Sequence, residues 1–185
     1  DGQSGVMKVV PGSETFPGRA TGQPTTRRVT LEAGKFQWHS LGLYANAGDP
    51  IVVKLPAGAE KLGLRLQIGC HTDGIWHHSK WERLPTVTMS AALNQPVMTI
   101  TSPFGGLVYM DVPHGRTVPG EIEISGAHAA PHFKLGRDRH ADFTRALATA
   151  SAPWTEIEGE RMVVTVPTAA AQRSKSNFEE VAKFW

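Results

Sequence analysis

Short apolar runs separated by turn residues recur along this chain from Arg27 onward. Each run has the length of one strand, and its β-branched and other apolar residues alternate with polar positions or follow one another. The runs occupy residues 51–55, 64–68, 86–89, 97–100, 107–110, 121–124 and 162–166, and most are followed closely by a proline or glycine. Runs of this kind are typical of two antiparallel sheets that each bury one face. The pattern predicts a mainly β protein, an antiparallel β-sandwich or jelly roll.

Toward the C-terminus the spacing of the apolar residues changes to that of a helix. It predicts one or two short helices, over residues 137–150 and 176–185. In the second stretch Ser176 and Glu179 have the spacing of a capping box, in which each side chain accepts a hydrogen bond from a backbone N–H at the helix start.

The apolar face of this last helix consists of Phe178, Val181, Ala182 and Trp185. The face runs to Trp185, and no C-cap residue follows it. Because a helix that ends on a bulky apolar residue leaves that residue uncovered, we predict that Phe178, Val181 and Trp185 bind a partner.

The first 26 residues differ in composition from the rest of the chain. They contain few large apolar residues and eight turn-forming ones, Gly2, Gly5, Pro11, Gly12, Pro17, Gly18, Gly22 and Pro24. This composition predicts a flexible N-terminal segment or linker over residues 1–26 and one folded unit over residues 27–185.

Composition and charge exclude several classes of protein. Nineteen Lys and Arg residues against seventeen Asp and Glu residues leave a net charge of +2, and the longest basic cluster is the pair Arg27 and Arg28. Nucleic acid is therefore not expected as a partner. No apolar run approaches the ~18 residues of a membrane span. A single cysteine, Cys70, excludes an intrachain disulfide and a multi-cysteine metal site.

The eight histidines do not form a zinc-peptidase motif. None of them is followed by glutamate, so the chain contains no H-E-x-x-H sequence. That motif places two imidazoles and a general base on one helical face, and its absence excludes a self-contained zincin. We therefore assign no catalytic residue and no metal ligand within this chain.

The segment 70–83 carries the most unusual composition, with two tryptophans among polar hydrogen-bonding residues. Aromatic faces pack on the C–H groups of sugars, while carboxylate and imidazole groups bind hydroxyls. We predict that Asp73, Trp76, His77, His78 and Trp81 bind substrate. The alternative is that the two tryptophans anchor a long loop onto the sandwich.

Two further features are open to more than one interpretation. The turn with Phe104, Gly105, Gly106 and Tyr109 either faces a ligand or makes a tight start to a hairpin, since paired glycines permit close backbone approach. The alternating carboxylates of residues 156–160 are interpreted as a solvated strand edge.

Five blocks in order carry a resemblance to a known family. They are residues 41–55, 67–71, 102–109, 130–136 and 152–159. Together they resemble the N-terminal half of the peptidase M60 domain, also called the enhancin-like or mucin-degrading metallopeptidase domain, over about residues 35–185. The resemblance implies a zinc metallopeptidase of the gluzincin kind that acts on O-glycosylated proteins such as mucins and is secreted or lies at the cell surface. Vertebrate relatives of this family regulate ion channels.

The resemblance also implies which part of the domain is represented. In the family the zinc-binding helix lies downstream of the block that resembles residues 177–185, so zinc is expected in a catalytic half outside this chain. We therefore expect a non-catalytic scaffold and glycopeptide-docking surface, with the turn at 104–109 facing the catalytic half or the bound glycopeptide. The alternatives are a stand-alone carbohydrate-binding module and a protein-interaction module like the channel-associated relatives.

Overall fold

A computed structural model describes residues 7–31 and 38–184 of the chain. Over these residues the strands are β1 Thr25–Thr30, β2 Trp38–Ala45, β3 Pro50–Lys54, β4 Arg65–Thr72, β5 Thr86–Ala92, β6 Val97–Thr101, β7 Gly106–Asp111, β8 Glu121–Ala129, β9 His132–Lys134, β10 Trp154–Glu158 and β11 Val163–Pro167. The α-helices are α1 His140–Ala148, α2 Thr168–Arg173 and α3 Phe178–Phe184.

The larger sheet runs in the order β5-β4-β7-β2-β8-β3-β6, with β1 paired to β8, and all of its pairs are antiparallel. Its two halves enclose one apolar core, to which β3 contributes Ile51 and Val53 and β4 contributes Leu66 and Ile68. All four side chains are fully buried, and each such burial contributes about 1.5–3 kcal/mol. The prediction of a mainly β, antiparallel sandwich is confirmed.

Strand β8 connects the two halves of this sheet because it bends at Gly126. Thr26 pairs with Ser125 and Thr25 with Ala127, so Gly126 is the extra residue of a bulge. Its φ is +91°, and a Cβ there would lie 2.2 Å from the carbonyl oxygen of Pro50. Strands commonly pass between layers at such bulges.

A second, smaller layer follows in the chain. Strand β10 lies between β11, which is antiparallel to it, and β9, which is parallel to it. The three helices lie in this C-terminal part, and α1 and α3 contribute to its apolar core, which contains Phe133, Phe143, Leu147, Ile157 and Phe178. Short helices toward the C-terminus are thus confirmed, and none of the helices described has the length and hydropathy of a membrane span.

The apolar face of α3 packs inside the protein. Phe178 is 3% exposed and contacts Phe143 edge-on at 5.1 Å, and Val181 packs partly buried against the same core. Phe178 and Val181 therefore serve the internal core and do not present the partner surface that we predicted; Trp185 lies outside the described residues. The helix is capped by Asn177, whose Oδ1 accepts from the backbone N–H of Glu179 at 3.0 Å, in place of the predicted Ser176.

Residues 7–24 pack against the sheets, whereas composition predicts a flexible linker. Tyr44 Oη donates to the carbonyl of Gly18 at 2.7 Å, and Trp154 Nε1 donates to that of Pro17 at 2.7 Å. The buried Asn46 side chain accepts from Ala20 N at 2.8 Å. Glycine and proline here shape a fitted segment, because its backbone groups are bonded to side chains of the sandwich.

Candidate functional site

A cavity of about 580 Å³ opens beneath the loop that joins β4 to β5. Strands of both sheets line it. We call it the acid cavity and define it by Ser40, Cys70, His71, Tyr109, Trp154 and Glu156. It therefore lies where the larger sheet faces the small one.

The carboxyl group of Glu156 is the most buried ionisable group of this cavity. Glu156 is 1% exposed, Tyr109 Oη donates to its Oε1 at 2.8 Å, and Ser40 Oγ donates to its Oε2. Burial raises the pKa of the Glu156 carboxyl, although the positive His132 and these two donors favour its charged form. The result is an acid that is fully supplied with hydrogen bonds inside the protein.

The position of Glu156 corrects the interpretation of residues 156–160 as a solvated edge. Strand β10 is the central strand of the small sheet, so both of its edges are hydrogen-bonded, and its middle residues 155–157 are buried. Ile157 points into the apolar core and Glu156 points to the opposite side, toward the larger sheet. In the sequence, a strand with alternating polar and apolar residues has the same pattern whether its polar face meets water or a polar cavity.

The thiol of Cys70 shares this cavity. Burial raises the pKa of the thiol, and the hydroxyl of Tyr109 lies within hydrogen-bonding reach of it. Burial likewise raises the pKa of Tyr109. Since the thiolate is the reactive form, the raised pKa disfavours reaction of Cys70.

Aromatic and charged side chains form the rim of the acid cavity. The His71 ring lies between Phe16 and Trp154, at centroid distances of 4.8 and 4.4 Å. Arg83 lies over the Phe16 ring at 4.4 Å and pairs with Asp73 at 3.1 Å. These contacts fix the two ends of the β4–β5 loop on the sandwich.

The tryptophans of the loop lie farther out. Trp76 is 67% exposed and Trp81 is 46% exposed, and their rings meet edge-to-face at 5.0 Å. His77 and His78, both exposed, follow at a ring separation of 4.2 Å. Because Phe16, Arg83 and the strand ends anchor this loop, the tryptophans remain available at the surface.

The four residues of the turn at 104–109 that were predicted to face a ligand lie in different environments. A Cβ at Gly105 would lie 2.7 Å from Ala45 O, and one at Gly106 would lie 2.6 Å from Gly69 Cα. Both glycines are therefore needed for close packing of backbone on backbone. Phe104 is half-buried in the same turn. Of the four predicted residues, Tyr109 reaches the acid cavity.

Sequence reasoning missed Ser40, His71, Arg83, Trp154 and Glu156 as parts of one site. These residues come from four distant segments, so their sequence spacing carries no joint signal. The one local signal is the alternation of glutamates with other residues in β10, which is also typical of an exposed strand face.

The resemblance places its zinc site in a catalytic half outside this chain, and the residues described do not form a metal site of their own. Across residues 7–31 and 38–184, no three His, Cys, Asp or Glu side chains are grouped to hold a metal ion. His132 donates from Nε2 to Glu158 at 2.7 Å, but Lys134 Nζ lies 3.1 Å from the same carboxylate. An ammonium group occupies the place a cation would take, so no catalytic step through zinc follows from this chain.

Two family models match consecutive parts of the chain. The N-terminal domain of M60-like peptidases matches residues 21–125, and peptidase M60, enhancin and enhancin-like, matches residues 126–185. The two matches meet at Gly126, the bulge in β8, so the boundary between them lies within one continuous strand.

Curated relatives are similar over most of the chain. TRPM8 channel-associated factor 1 of Bos taurus is 35% identical over 172 residues, and factor 2 of Homo sapiens is 36% identical over 169 residues. Each match covers 88% of this chain but 18% of the relative. The chain thus spans less than a fifth of the length of these relatives.

Solved structures share the fold. IMPa from Pseudomonas aeruginosa in complex with an O-glycopeptide aligns with a TM-score of 0.64 at 22% identity, over 90% of this chain and 20% of that one. The M60 catalytic domain of Clostridium perfringens ZmpB with its CBM51 domains aligns with a TM-score of 0.64 at 18% identity, over 87% and 20%. Taken with the family models, these similarities establish that the chain belongs to the M60-like peptidase family.

Proposed function

We propose that this chain is the non-catalytic β-sandwich part of an M60-like protein and that it docks O-glycosylated polypeptides through the β4–β5 loop. The observation that carries the proposal is the exposed edge-to-face pair of Trp76 and Trp81 beside the acid cavity. Two large aromatic side chains held in water without a covering element are typical of a recognition surface.

The chemistry of the loop is suited to a sugar. The ring faces of Trp76 and Trp81 offer apolar area for the C–H side of a pyranose, and His77, His78 and Asp73 offer hydrogen-bonding groups for its hydroxyls. Structures of the same fold have been solved with an O-glycopeptide and with T-antigen bound, which supports this class of ligand. O-glycosylated proteins of the cell surface or secreted fluids are then the expected partners.

Scaffolding is the second part of the proposal. The fold is continuous across the two family matches, and the residues described offer no metal-binding cluster. The catalytic half of an M60-like protein, with its zinc, would then supply the chemistry, while this part positions the glycopeptide.

Titration of the chain with a core-1 O-glycopeptide tests the docking surface. We expect Trp76→Ala to weaken binding roughly tenfold, which is the size of one lost stacking contact. Phe184→Ala is the matched control, because Phe184 is 78% exposed but lies on α3, outside the loop. Lack of binding at millimolar glycopeptide, or equal affinities of the two variants, would refute docking at the loop.

A protein-interaction module is the second candidate. It is favoured by the 34–36% identity to TRPM8 channel-associated factors. Since Phe178 is buried, such a module would use the loop tryptophans. Binding of purified, deglycosylated TRPM8 that is lost in Trp76→Ala would support this function, and binding that requires the glycan would support the first.

A further inference from the structure

A second cavity, of about 710 Å³, lies between β1, the end of β8 and helix α1. We call it the arginine cavity and define it by Arg27, His128, His132, Arg137, Phe143 and Ser151. It is separate from the acid cavity, with which it shares none of its lining residues. Its volume far exceeds that of a single small ion.

Arg27 points into the protein from an edge strand. It lies on the half-buried face of β1, and its Nη1 donates to the carbonyl of Leu41 at 2.8 Å. The guanidinium passes over Gly42, where a Cβ would lie 2.6 Å from Nη1. Among the residues that the structure describes, no carboxylate forms an ion pair with Arg27, and a cation partly removed from water without a counter-ion is unfavourable.

The nearby carboxylate of Asp138 is already committed to other groups. Arg137 donates to it from Nε at 3.0 Å and from Nη2 at 2.6 Å, and the backbone N–H of Lys134 donates to it at 2.7 Å. Asp142, the other carboxylate that lines the cavity, pairs with Arg145 at 3.4 Å. Burial lowers the pKa of Arg27, and the positive Arg137 lowers it further, so an anion beside Arg27 would stabilise its charged form.

His128 lines the same cavity and carries an unpartnered nitrogen buried behind the cavity wall. The amide of Asn46 is oriented by Ala20 N, which donates to its Oδ1 at 2.8 Å, so Nδ2 donates to His128 Nε2 at 2.8 Å. The Asp49 carboxylate is farther from that nitrogen, at 3.8 Å. In the neutral ring the hydrogen then sits on Nδ1, which is buried and has no hydrogen-bond partner in the described structure.

We propose that the arginine cavity binds an oxyanion carried on a larger polar molecule, with Arg27 as the main charge partner. A carboxylate or sulfate would give Arg27 the ion-pair partner that it lacks among the described residues. The volume favours an acidic sugar over a free inorganic ion. This site does not depend on the loop tryptophans.

A purely structural role for Arg27 predicts a different outcome. An inward-pointing charge on an edge strand discourages edge-to-edge aggregation, and the bond to Leu41 O holds β1 near β2. In that case replacing Arg27 would change stability or solubility and would leave the cavity without any affinity for anions. Ligand binding is therefore the measurement that separates the two roles.

The test is titration of the whole chain with glucuronate, with the neutral glucuronamide as the matched ligand and with inorganic sulfate, all at constant ionic strength. We expect saturable glucuronate binding that weakens roughly tenfold in Arg27→Gln. Arg28→Gln is the control variant, because Arg28 follows on the same strand but pairs with Glu123 and does not line the cavity. It should change the affinity less than about twofold.

A second measurement uses only the wild-type chain, so it tests the proposal even if Arg27→Gln does not fold. In the wild-type chain, glucuronate should shift the backbone amide ¹⁵N resonance of His128, which lines the cavity, and glucuronamide should not. Sulfate binding as strong as that of glucuronate would assign the site to a free oxyanion. Absence of saturable anion binding, equal weakening in both arginine variants, or an unshifted His128 resonance would overturn the proposal. Binding of neutral O-glycopeptide, or its dependence on Trp76, would remain unaffected by any of these results.

Discussion

The acid cavity and the arginine cavity handle a buried ionisable group in opposite ways. In the acid cavity, Ser40 and Tyr109 supply donors to Glu156 and burial favours its neutral form. In the arginine cavity, Arg27 keeps its charge, holds one carbonyl and lacks a counter-ion among the described residues. A group that is saturated internally stabilises the fold, whereas an unsaturated one has bonding capacity left for a ligand.

Removing Glu156 should have the largest effect on stability. Glu156→Ala leaves the hydroxyls of Ser40 and Tyr109 buried without their acceptor and opens a void, so we expect a loss of about 4 kcal/mol. Glu156→Gln keeps an acceptor and should cost about 1 kcal/mol. Urea denaturation measures both. Glu160→Ala, at an exposed position of the same segment, is the control and should stay within about 0.5 kcal/mol; an equal loss there would contradict the internal role of Glu156.

Two glycines near the cavities offer a matched comparison of packing. A Cβ at Gly69 would meet the backbone oxygen of Val87 at 2.3 Å, so Gly69→Ala should destabilise by about 3 kcal/mol. At Gly42 the obstacle is the movable end of Arg27, so Gly42→Ala should cost about 1.5 kcal/mol. Thermal or urea unfolding measures the loss of stability in each variant. A larger loss for Gly42→Ala than for Gly69→Ala would mean that Arg27 is held as rigidly as the backbone.

The pH dependence of stability should separate two carboxylates of β10. Burial opposes the charged form of Glu158, but hydrogen bonds and charges from His132 and Lys134 outweigh it and lower the pKa of Glu158 to about 2. Its contribution is present above its ordinary pKa of 4.5 and is lost as the pH falls from there toward 2. For Glu156 the sign is reversed, because its raised pKa makes the folded state lose relative stability as the pH rises above 4.5.

Urea midpoints between pH 2 and 7 check this pair. Glu158→Gln should flatten the fall in stability on the acid side, and Glu156→Gln should flatten the opposing trend above pH 4.5. Identical profiles for wild type and Glu158→Gln would show that the contacts of Glu158 with His132 and Lys134 do not favour its charged form in solution.

The smallest expected effect concerns the reactivity of Cys70. Because burial raises the pKa of its thiol, reaction with a disulfide reagent at pH 8 should be roughly tenfold slower than that of a free thiol. Stopped-flow absorbance measures the rate, and the urea-unfolded chain is the reference. Glu156→Ala, which opens the acid cavity, should accelerate the reaction; a fast rate in the wild type would mean that the cavity is open to solvent.

Local pattern accounts for much of the fold. The run at 51–55 coincides with β3 at Pro50–Lys54, and the predicted helix at 137–150 contains α1 at His140–Ala148. Strand β9, three residues long, was missed because so short a stretch carries no period. The partner surface on α3 was misassigned because an apolar helical face looks the same whether it meets a partner or the protein's own core.

The order of residues along the chain decided which segments extend, which bend at Gly126 and which faces are apolar. The packing of strands and sheets against one another decided which polar groups are buried. Glu156 became a buried acid when β10 packed against the larger sheet, and Arg27 came to line a cavity without an ion pair among the described residues when β1 paired with β8. Both outcomes depend on contacts between residues far apart in sequence, and the burial that sets the energy of a charge exists only once those contacts form.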